Sequence, residues 1–228
     1  MFLNKPHLNY QQLSENLGGY PVWMGDLFPK DLKLIETELI SLFEKLKSEN
    51  VFKQNDKWKS HLLSDITFKE NLIEKYNLEK VKFIVELYIN RWQFFLGAPK
   101  YKVKFTSSWF TITNKDKYAH IHNHGESDIS GVFYLKTNGK DGNLFFPYSN
   151  IHLKNNKFFR QTNISKPFDV EPKVGRMILF PGSLEHGVRT NDTDNERVSF
   201  SFNIVFEDKN YTDEEISKFQ THYKESVI

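Results

Sequence analysis

Pro99 divides the chain into two parts with different hydrophobic periodicities. Before it, apolar residues recur every three to four positions, as on one face of an α-helix; after it, they alternate with polar residues, as in a β-strand. The β-type runs are short, and no helical pattern lies between them. This order predicts one α+β domain over residues 1–228: a helical part at 1–99, a sandwich or jelly-roll core at 100–207, and a C-terminal helix or tail at 208–228.

Two amphipathic helices are predicted in the N-terminal part. The first follows Asp31, which we expect to be its N-cap, and ends near Asn50. The second spans residues 80–96 and ends at Gly97, and we expect it to cover one side of a sheet. A shorter helical pattern runs from residue 67 to 76.

Composition excludes several classes of site and partner. Because the chain has no cysteine, it has no disulfide, no thiolate metal site and no cysteine nucleophile. A net charge of +2, with both signs interspersed, gives no nucleic-acid signal. No apolar run reaches membrane-spanning length and no secretory signal is visible, so we expect a cytoplasmic protein without a membrane partner. Aromatic residues at 15% favour a β-rich core filled by rings.

Three of the eight histidines fall within the segment "YAHIHNHGESDISGVFYL", which runs into an apolar strand. On an extended strand, His120, His122 and His124 would point to the same face. Two imidazoles at this spacing can converge on one metal ion, and imidazole suits iron, zinc, copper and nickel. A histidine-rich exposed strand face would give the same pattern, so the segment alone leaves both interpretations open.

Two further features come later in the chain. His186 follows an apolar strand and a Pro-Gly turn, where a side chain can face a pocket. Arg197 opens a strand whose polar face also carries Ser199, Ser201 and Asn203, while the other face carries only apolar residues. An exposed polar face would explain this alternation, and so would a β-structure that encloses an anionic ligand.

The order of these motifs resembles the Fe(II)/2-oxoglutarate-dependent oxygenases. It is similar, more narrowly, to an oxygenase family of phages and marine bacteria whose members carry a motif like H-x-H-P-x-x-x-x-S-G-V-Y-Y. The resemblance covers about residues 80–206. Its elements are H-x-H, "SGVFYL", G-x-L-x-F at Gly142, P-x-x-G-x-x-x-L-F-P at 172–181, His186 and Arg197-x-Ser199.

The resemblance implies a double-stranded β-helix (jelly roll) with the N-terminal helices packed on its outer sheet. It also implies a dioxygenase that uses Fe(II) and 2-oxoglutarate and releases succinate and CO2. By this resemblance His186 is the distal metal ligand. Arg197 pairs with the far carboxylate of 2-oxoglutarate, and Ser199 and Tyr134 add hydroxyl groups to the same carboxylate.

The remaining ligands depend on the register. Most relatives have His-x-Asp/Glu, but His124 occupies the carboxylate position if His122 is the first ligand. We prefer His122 and His124, because the narrower family also has H-x-H, and His120 then lies behind the metal ligands or lines the pocket. The register His124-Gly125-Glu126 restores a carboxylate, and Asp128 lies close by, so both acids stay open as ligands.

Other functions are weighed against the oxygenase. A cupin-like metalloprotein could hold a metal through three histidines without 2-oxoglutarate, although it would not need Arg197. A binding module for a saccharide or a protein is a more distant alternative. The substrate, a small molecule or a peptide, is not identified, and a homodimer stays open beside a monomer. We expect the pocket mouth to include residues 110–120, 150–161, Trp23 and Trp58.

Overall fold

The computed structural model describes residues 16–17, 20–54, 65–67, 70–147, 157–158, 161 and 167–227. Within these ranges the helices are α1 (Pro29–Ser48), α2 (Leu72–Lys75), α3 (Glu79–Phe95) and α4 (Asp213–Val227). The strands before Pro99 are β1 (Asn16–Leu17), β2 (Tyr20–Pro21), β3 (Trp23–Asp26), β4 (Lys53–Gln54) and β5 (Asp65–Ile66). Those after it are β6 (Tyr101–Thr113), β7 (Ala119–His122), β8 (Ile129–Lys136), β9 (Leu144–Phe146), β10 (Phe168–Val170), β11 (Arg176–Pro181), β12 (His186–Val188) and β13 (Arg197–Asn210).

The strands form two main antiparallel sheets. The large sheet has seven strands in the order β3-β11-β8-β13-β6-β5-β4, and the small sheet has four in the order β10-β9-β12-β7. From β6 onward the chain alternates between them, because β6, β8, β11 and β13 lie in the large sheet and the intervening strands lie in the small one. The expected α+β class with antiparallel sheets is therefore confirmed.

The space between the two sheets holds a small apolar core. Leu144, Phe146 and Val170 of the small sheet pack there with Ile178 and Phe180 of the large sheet. All five side chains are at most 4% exposed. The inner faces of the two sheets are thus in contact, as in other β-sandwiches.

A larger core lies on the opposite face of the large sheet. Val198, Phe200, Phe202 and Ile204 of β13 pack there with apolar residues of α1, α3 and α4. The alternation read from the sequence of β13 is confirmed, since its polar residues face the other sheet. The prediction that the second helix covers a sheet is also confirmed, and α3 ends where Gly97 adopts a φ of 68°.

Asp31 is not the N-cap of α1, contrary to expectation. Phe28 is the N-cap residue and Pro29 opens the helix, a position that proline favours because it needs no amide proton. Asp31 is fully buried in the first turn of α1. Its carboxylate accepts hydrogen bonds from Tyr88 Oη (3.0 Å), His222 Nε2 (2.7 Å) and Ser226 Oγ (2.9 Å), which link α1 to α3 and α4.

The helical description of residues 1–99 is incomplete, because this part also supplies strands to the large sheet. β3 pairs with β11 at one edge, and toward the other edge β5 pairs with β6 and β4 pairs with β5. These short strands cover the edges of the long strands, which would otherwise present unpaired backbone groups. The helix expected at 67–76 is confined to α2, which is capped by Asn71.

The C-terminal part ends in a helix, one of the two alternatives expected there. α4 packs through Ile216 and Phe219 into the core on the helical side of the large sheet. Among the helices of the described residues, none is both long enough and apolar enough to cross a bilayer.

Candidate metal centre

Two segments of the small sheet bring three histidines together. His122 is the last residue of β7 and lies opposite His186, the first residue of β12. His124 follows two residues after β7, and its backbone amide donates to the carbonyl of Gly182 (2.8 Å) in the turn before β12. The candidate ligand nitrogens of His122, His124 and His186 all lie within 4.8 Å of one another.

Backbone carbonyls fix the orientation of two of these imidazoles. His122 Nδ1 lies 2.7 Å from the carbonyl oxygen of His120, and His186 Nδ1 lies 2.9 Å from that of Leu184. A carbonyl oxygen only accepts, so each Nδ1 carries the proton and donates it. In the neutral ring the lone pair is then on Nε2, which is the form that binds a metal.

His124 has a different environment. Its Nε2 lies 3.2 Å from His186 Nε2, and its Nδ1 lies 3.4 Å from Nδ2 of Asn203. The His124 ring stacks on the His186 ring with centroids 5.0 Å apart. The centroid of the Trp109 ring lies 5.6 Å from that of His124. Phe180 packs edge-on against His186 at 4.6 Å, so aromatic rings surround the cluster.

The expectation that His120 shares a face with His122 is wrong. Across this pair of strands His186 lies opposite His122 but Val188 lies opposite Ala119, so β7 contains one extra residue. Such a bulge reverses the alternation of side chains. His120 is therefore exposed and contacts Tyr118 (Oη to Nε2, 3.3 Å), and only its carbonyl reaches His122.

Glu126 and Asp128, the two acids that the sequence left open as metal ligands, lie outside the histidine cluster. Glu126 is exposed in the turn after His124. Asp128 Oδ2 accepts a hydrogen bond from the backbone amide of Phe206 (2.7 Å), which directs this carboxylate toward β13. Among the described residues, His122, His124 and His186 form the group of histidine and acidic side chains that could hold a metal ion.

The histidines line a cavity between the two sheets. The residues expected to bind 2-oxoglutarate line the same cavity. Its walls are formed by Trp109, Thr111, Ala119, His122, His124, Ser130, Gly131, Val132, Tyr134, Leu144, Phe180, His186, Val188, Arg197, Ser199, Ser201, Phe202 and Asn203.

Arg197 is the buried cation of this cavity, with 2% of its surface exposed. Nη1 donates to the carbonyl oxygen of Gly142 and Nη2 donates to Thr113 Oγ1 (2.9 Å), but the buried Nε has no hydrogen-bond partner. No carboxylate of the described residues forms an ion pair with it. Burial lowers the pKa of Arg197, but a guanidinium stays charged at neutral pH. A buried, incompletely satisfied cation of this kind fits an anionic ligand.

Ser199 lies on β13 two residues after Arg197, and Tyr134 lies on the neighbouring strand β8. Ser199 pairs with Tyr134 in the register of β13 and β8. The Arg197 guanidinium carbon lies 5.7 Å from the centre of the Tyr134 ring. Burial raises the pKa of Tyr134, so its hydroxyl is protonated and can donate a hydrogen bond.

Sequence reasoning did not predict the roles of several residues of this site. Thr113 and Gly142 hold the Arg197 guanidinium, and Trp109 covers His124. The polar face of β13 did include Asn203, but nothing in its spacing predicted contact with a histidine. A signal for Trp109 and Thr113 was present in β6, where residues two apart share the inward face.

The expected pocket mouth is partly wrong. Trp23 lies in the core on the helical side of the large sheet, 5.6 Å from the Tyr88 ring, and does not reach the cavity. Its position on the edge strand β3 directs it there, whereas its neighbour Val22 packs between the sheets. Trp58 and most of residues 150–161 lie outside the described residues.

Comparison with known proteins gives a family match over the β part of the chain. Residues 107–203, less than half of the chain, match a family model described as "Putative 2OG-Fe(II) oxygenase". The matched segment contains the three histidines, Tyr134, Arg197, Ser199 and Asn203. No sequence among curated proteins matches the chain.

Several solved structures share the fold. A prolyl-4-hydroxylase from Pseudomonas putida is 16% identical with a TM-score of 0.54, and the alignment covers 84% of this chain and 96% of that one. A prolyl hydroxylase from Trichoplax adhaerens, in complex with a peptide of hypoxia inducible factor, is 14% identical with a TM-score of 0.57 over 85% and 87% of the two chains. HygX from Streptomyces hygroscopicus, with nickel and 2-oxoglutarate bound, is 11% identical with a TM-score of 0.54 over 84% of each chain.

These likenesses carry different weight. At such low identity the solved structures show a shared fold, whereas the family model covers the segment that holds the candidate site. The family match and the shared fold together support a relationship to the superfamily of Fe(II)- and 2-oxoglutarate-dependent oxygenases.

Proposed function

We propose that this protein is a dioxygenase that binds Fe(II) through His122, His124 and His186 and uses 2-oxoglutarate to oxidise a substrate. The observation that carries the proposal is one cavity with two complementary features. Three imidazoles converge within 4.8 Å, and the buried Arg197 presents an Nε without a hydrogen-bond partner. The family match supports the same two cofactors, Fe(II) and 2-oxoglutarate.

The donor set fits the metal. His122 and His186 are held as the Nδ1–H tautomers by carbonyl oxygens, so their Nε2 lone pairs face the cluster. Imidazole ligands suit iron. Three neutral ligands leave the full charge of a divalent ion uncompensated, and a dianionic cosubstrate in the same cavity supplies the missing negative charge. We therefore expect metal and 2-oxoglutarate to strengthen each other's binding.

The fold that we propose is a double-stranded β-helix with the helices packed on the outer, seven-stranded sheet. The alternation of strands between the two sheets from β6 to β13 supports it, as does the likeness to solved oxygenase structures. In this arrangement the ligands lie at strand ends of the small sheet, and the polar face of β13 forms the floor of the cavity.

The protein side chains would bind and orient the cosubstrate. The Arg197 fork pairs with a carboxylate of 2-oxoglutarate, and the hydroxyls of Tyr134 and Ser199 donate to the same group. Phe180 and Leu144 form apolar walls of the cavity, and charge interactions are stronger in less polar surroundings. When bound, Fe(II) and 2-oxoglutarate supply the oxidation by O2, with succinate and CO2 as products.

The substrate is proposed only as a class, a small molecule or a peptide, and the cytoplasm is the proposed location. The narrower likeness to oxygenases of phages and marine bacteria stays a prediction. A homodimer also stays a prediction. Exposed apolar residues at the end of α3, 48–75% accessible, would be available to it: Phe94, Phe95 and Leu96.

An anaerobic titration tests the proposal. Metal-free protein receives Fe(II) and then 2-oxoglutarate, and the visible metal-to-ligand charge-transfer band is recorded. We expect a band only after both additions, and a weaker one with Arg197→Ala. Arg189→Ala is the matched control, because Arg189 is exposed and pairs with Asp169.

Two other results would contradict the proposal. Stoichiometric metal binding without a band would favour the cupin-like three-histidine protein, which the family match does not favour. Loss of the band with Glu126→Ala would show that a carboxylate belongs to the ligand set and that the three-histidine assignment is wrong.

A further inference from the structure

The guanidinium of Arg197 is held by two groups from different parts of the chain. Nη1 donates to the carbonyl oxygen of Gly142, in the loop between β8 and β9 (residues 137–143, the β8–β9 loop). Nη2 donates to Thr113 Oγ1 at the end of β6 (2.9 Å). The direction of the guanidinium, and so of its unpartnered Nε, therefore depends on where these two oxygens are held.

The Gly142 carbonyl belongs to a closely packed piece of backbone. Gly142 has a φ of 99°, and a Cβ there would lie 2.4 Å from the carbonyl oxygen of Arg189. The carbonyl oxygen of the next residue, Asn143, accepts a hydrogen bond from the backbone amide of Arg189 (2.8 Å). The β8–β9 loop thus lies directly against the chain that leaves β12.

The residue before this glycine, Asp141, links two loops through its side chain. It is fully buried, and its carboxylate accepts hydrogen bonds from Thr137 Oγ1 and from the backbone amide of Asn138 (2.9 Å) within the β8–β9 loop. It also accepts from Asn195 Nδ2 (2.6 Å), in the loop between β12 and β13 (residues 189–196, the β12–β13 loop). A buried carboxylate needs such donors, so Asp141 holds the two loops together.

The β12–β13 loop also fixes the second group that holds the guanidinium. Asn191 is fully buried, and its Nδ2 donates to the carbonyl oxygens of Thr113 (2.9 Å) and Asn195 (2.7 Å). Both carbonyls can only accept, so the orientation of this amide is determined. Gly142 and Thr113 are thus both connected to the loop that Asp141 binds.

Asp141 and Arg197 are buried groups of opposite charge that form no direct ion pair, although both are within the described part of the chain. Burial lowers the pKa of Arg197, and the charges of Tyr134 and Asp141 oppose this effect. A direct pair would occupy the fork of the guanidinium. Because Asp141 is bound by neutral donors and reaches Arg197 only through the Gly142 carbonyl, the fork stays available to another carboxylate.

We propose that Asp141 is a positioning residue for 2-oxoglutarate: by tying the β8–β9 loop to the β12–β13 loop, it holds the Gly142 carbonyl in the place from which this carbonyl orients Arg197. The proposal rests on the proposed function, in which Arg197 pairs with the far carboxylate of the cosubstrate. Asp141 is not among the residues that line the cavity, so it acts through Gly142 and Arg197.

Two 2-oxo acids separate this role from a general structural one. Zn(II)-loaded protein is titrated calorimetrically with 2-oxoglutarate and with 2-oxobutyrate, which has the same oxo-acid group for the metal but no far carboxylate for Arg197. Asp141→Ala should weaken the binding of 2-oxoglutarate about tenfold, because a hydrogen bond to a charged group is no longer well aligned. The affinities for Zn(II) and for 2-oxobutyrate should not change.

Two further variants serve as conservative substitution and control. In Asp141→Asn the amide oxygen still accepts from the Asn138 amide and Asn195, and the amide nitrogen can donate to Thr137 Oγ1, since a hydroxyl also accepts. We expect this variant to keep the wild-type affinity for 2-oxoglutarate. Asp194→Ala should keep it too, because Asp194 is an exposed acid of the same β12–β13 loop and pairs with Lys115 (2.8 Å).

The outcomes distinguish this proposal from the proposed function. If wild-type protein binds no Zn(II), or binds 2-oxoglutarate no more tightly than 2-oxobutyrate, both are overturned. If wild type prefers 2-oxoglutarate and Asp141→Ala keeps that preference, only the role of Asp141 is overturned. Equal losses for the two acids, or a loss in Asp141→Asn as large as in Asp141→Ala, would also overturn it.

If Asp141→Ala does not fold, Asn195→Ala decides by the same comparison. This substitution removes the tie between the two loops but leaves the buried carboxylate its donors within the β8–β9 loop. We expect weaker binding of 2-oxoglutarate and unchanged binding of 2-oxobutyrate. Unchanged binding of both acids would overturn the positioning role.

Discussion

His124 Nε2 and His186 Nε2 lie 3.2 Å apart, although four strands of the described chain, β8 to β11, separate the two residues in sequence. At this separation a divalent ion bound by both, together with His122, would link β7 to β12. The ion would bind the folded chain, where all three imidazoles converge, more tightly than the unfolded one, so it adds to stability.

The first prediction follows from this distance. Zn(II) at 100 times its dissociation constant should raise the free energy of unfolding by about 2.7 kcal/mol. His186→Ala should lose this increase, because one of three ligands is removed. Glu126→Ala should retain it, since Glu126 is exposed outside the cluster. Thermal unfolding with and without Zn(II) measures both, and a lost increase in Glu126→Ala would contradict the ligand assignment.

Gly182 joins the two histidine segments, which gives the second prediction. Its amide donates to the Asp128 carbonyl (3.1 Å) and its carbonyl accepts from His124 (2.8 Å). A Cβ at this position would lie 2.1 Å from the Ser127 carbonyl oxygen. Gly182→Ala should therefore separate the segments, lower stability by about 1–3 kcal/mol and weaken Zn(II) binding.

Ser183→Ala is the matched control for Gly182→Ala, because Ser183 is the next residue in the turn and is exposed. Urea unfolding and a Zn(II) titration are measured for both variants. If Gly182→Ala kept the Zn(II) affinity of wild type, the turn would not be needed to position His124.

Arg197 provides the third prediction. Among the described residues no carboxylate pairs with this buried guanidinium, so Arg197→Met should leave the metal-free protein at least as stable as wild type. The same variant should lose the stabilisation by 2-oxoglutarate in the presence of Zn(II), because the carboxylate of 2-oxoglutarate would then have no guanidinium to pair with. Differential scanning calorimetry measures both effects. A variant that keeps the response to 2-oxoglutarate would place the cosubstrate elsewhere.

The sequence identified the clustered histidines and the polar face of β13 better than it predicted their surroundings. The spacing of His122 and His124, and the alternation along β13, depend on local geometry that a sequence records directly. The bulge in β7 does not, because it is visible only when β7 is paired with β12. His120 was therefore assigned to the wrong face.

Asp31 shows the same limit in the helical part. An aspartate before an apolar helical pattern is a good N-cap candidate. Its three hydrogen-bond partners lie 57, 191 and 195 residues away, and only the packing of α3 and α4 brings them to it. Long-range polar contacts of this kind override a local preference. The short strands β3 and β5 also escaped prediction, because their pairing with β11 and β6 depends on residues distant in sequence.

Glu86 on α3 gives the last prediction, which concerns pH. Burial raises the pKa of Glu86 from 4.5 to about 7, with Glu215 and Glu79 adding to the increase and Lys82 and Lys102 opposing it. Between pH 4.5 and 7 the folded protein holds a proton that the unfolded chain has released. The stability contribution of this group therefore falls as pH rises through that window and does not change above it.

Glu86→Gln should remove this dependence, because the amide has nearly the same size and does not ionise. We expect the variant to exceed wild type in stability at pH 8 by up to about 3 kcal/mol, and to differ little at pH 4.5. Urea unfolding at several pH values measures the difference, and Glu44→Gln, exposed on α1, is the control. Parallel stability curves for wild type and Glu86→Gln would mean that Glu86 is already ionised in the folded protein at pH 5, and that Lys82 and Lys102 outweigh its burial.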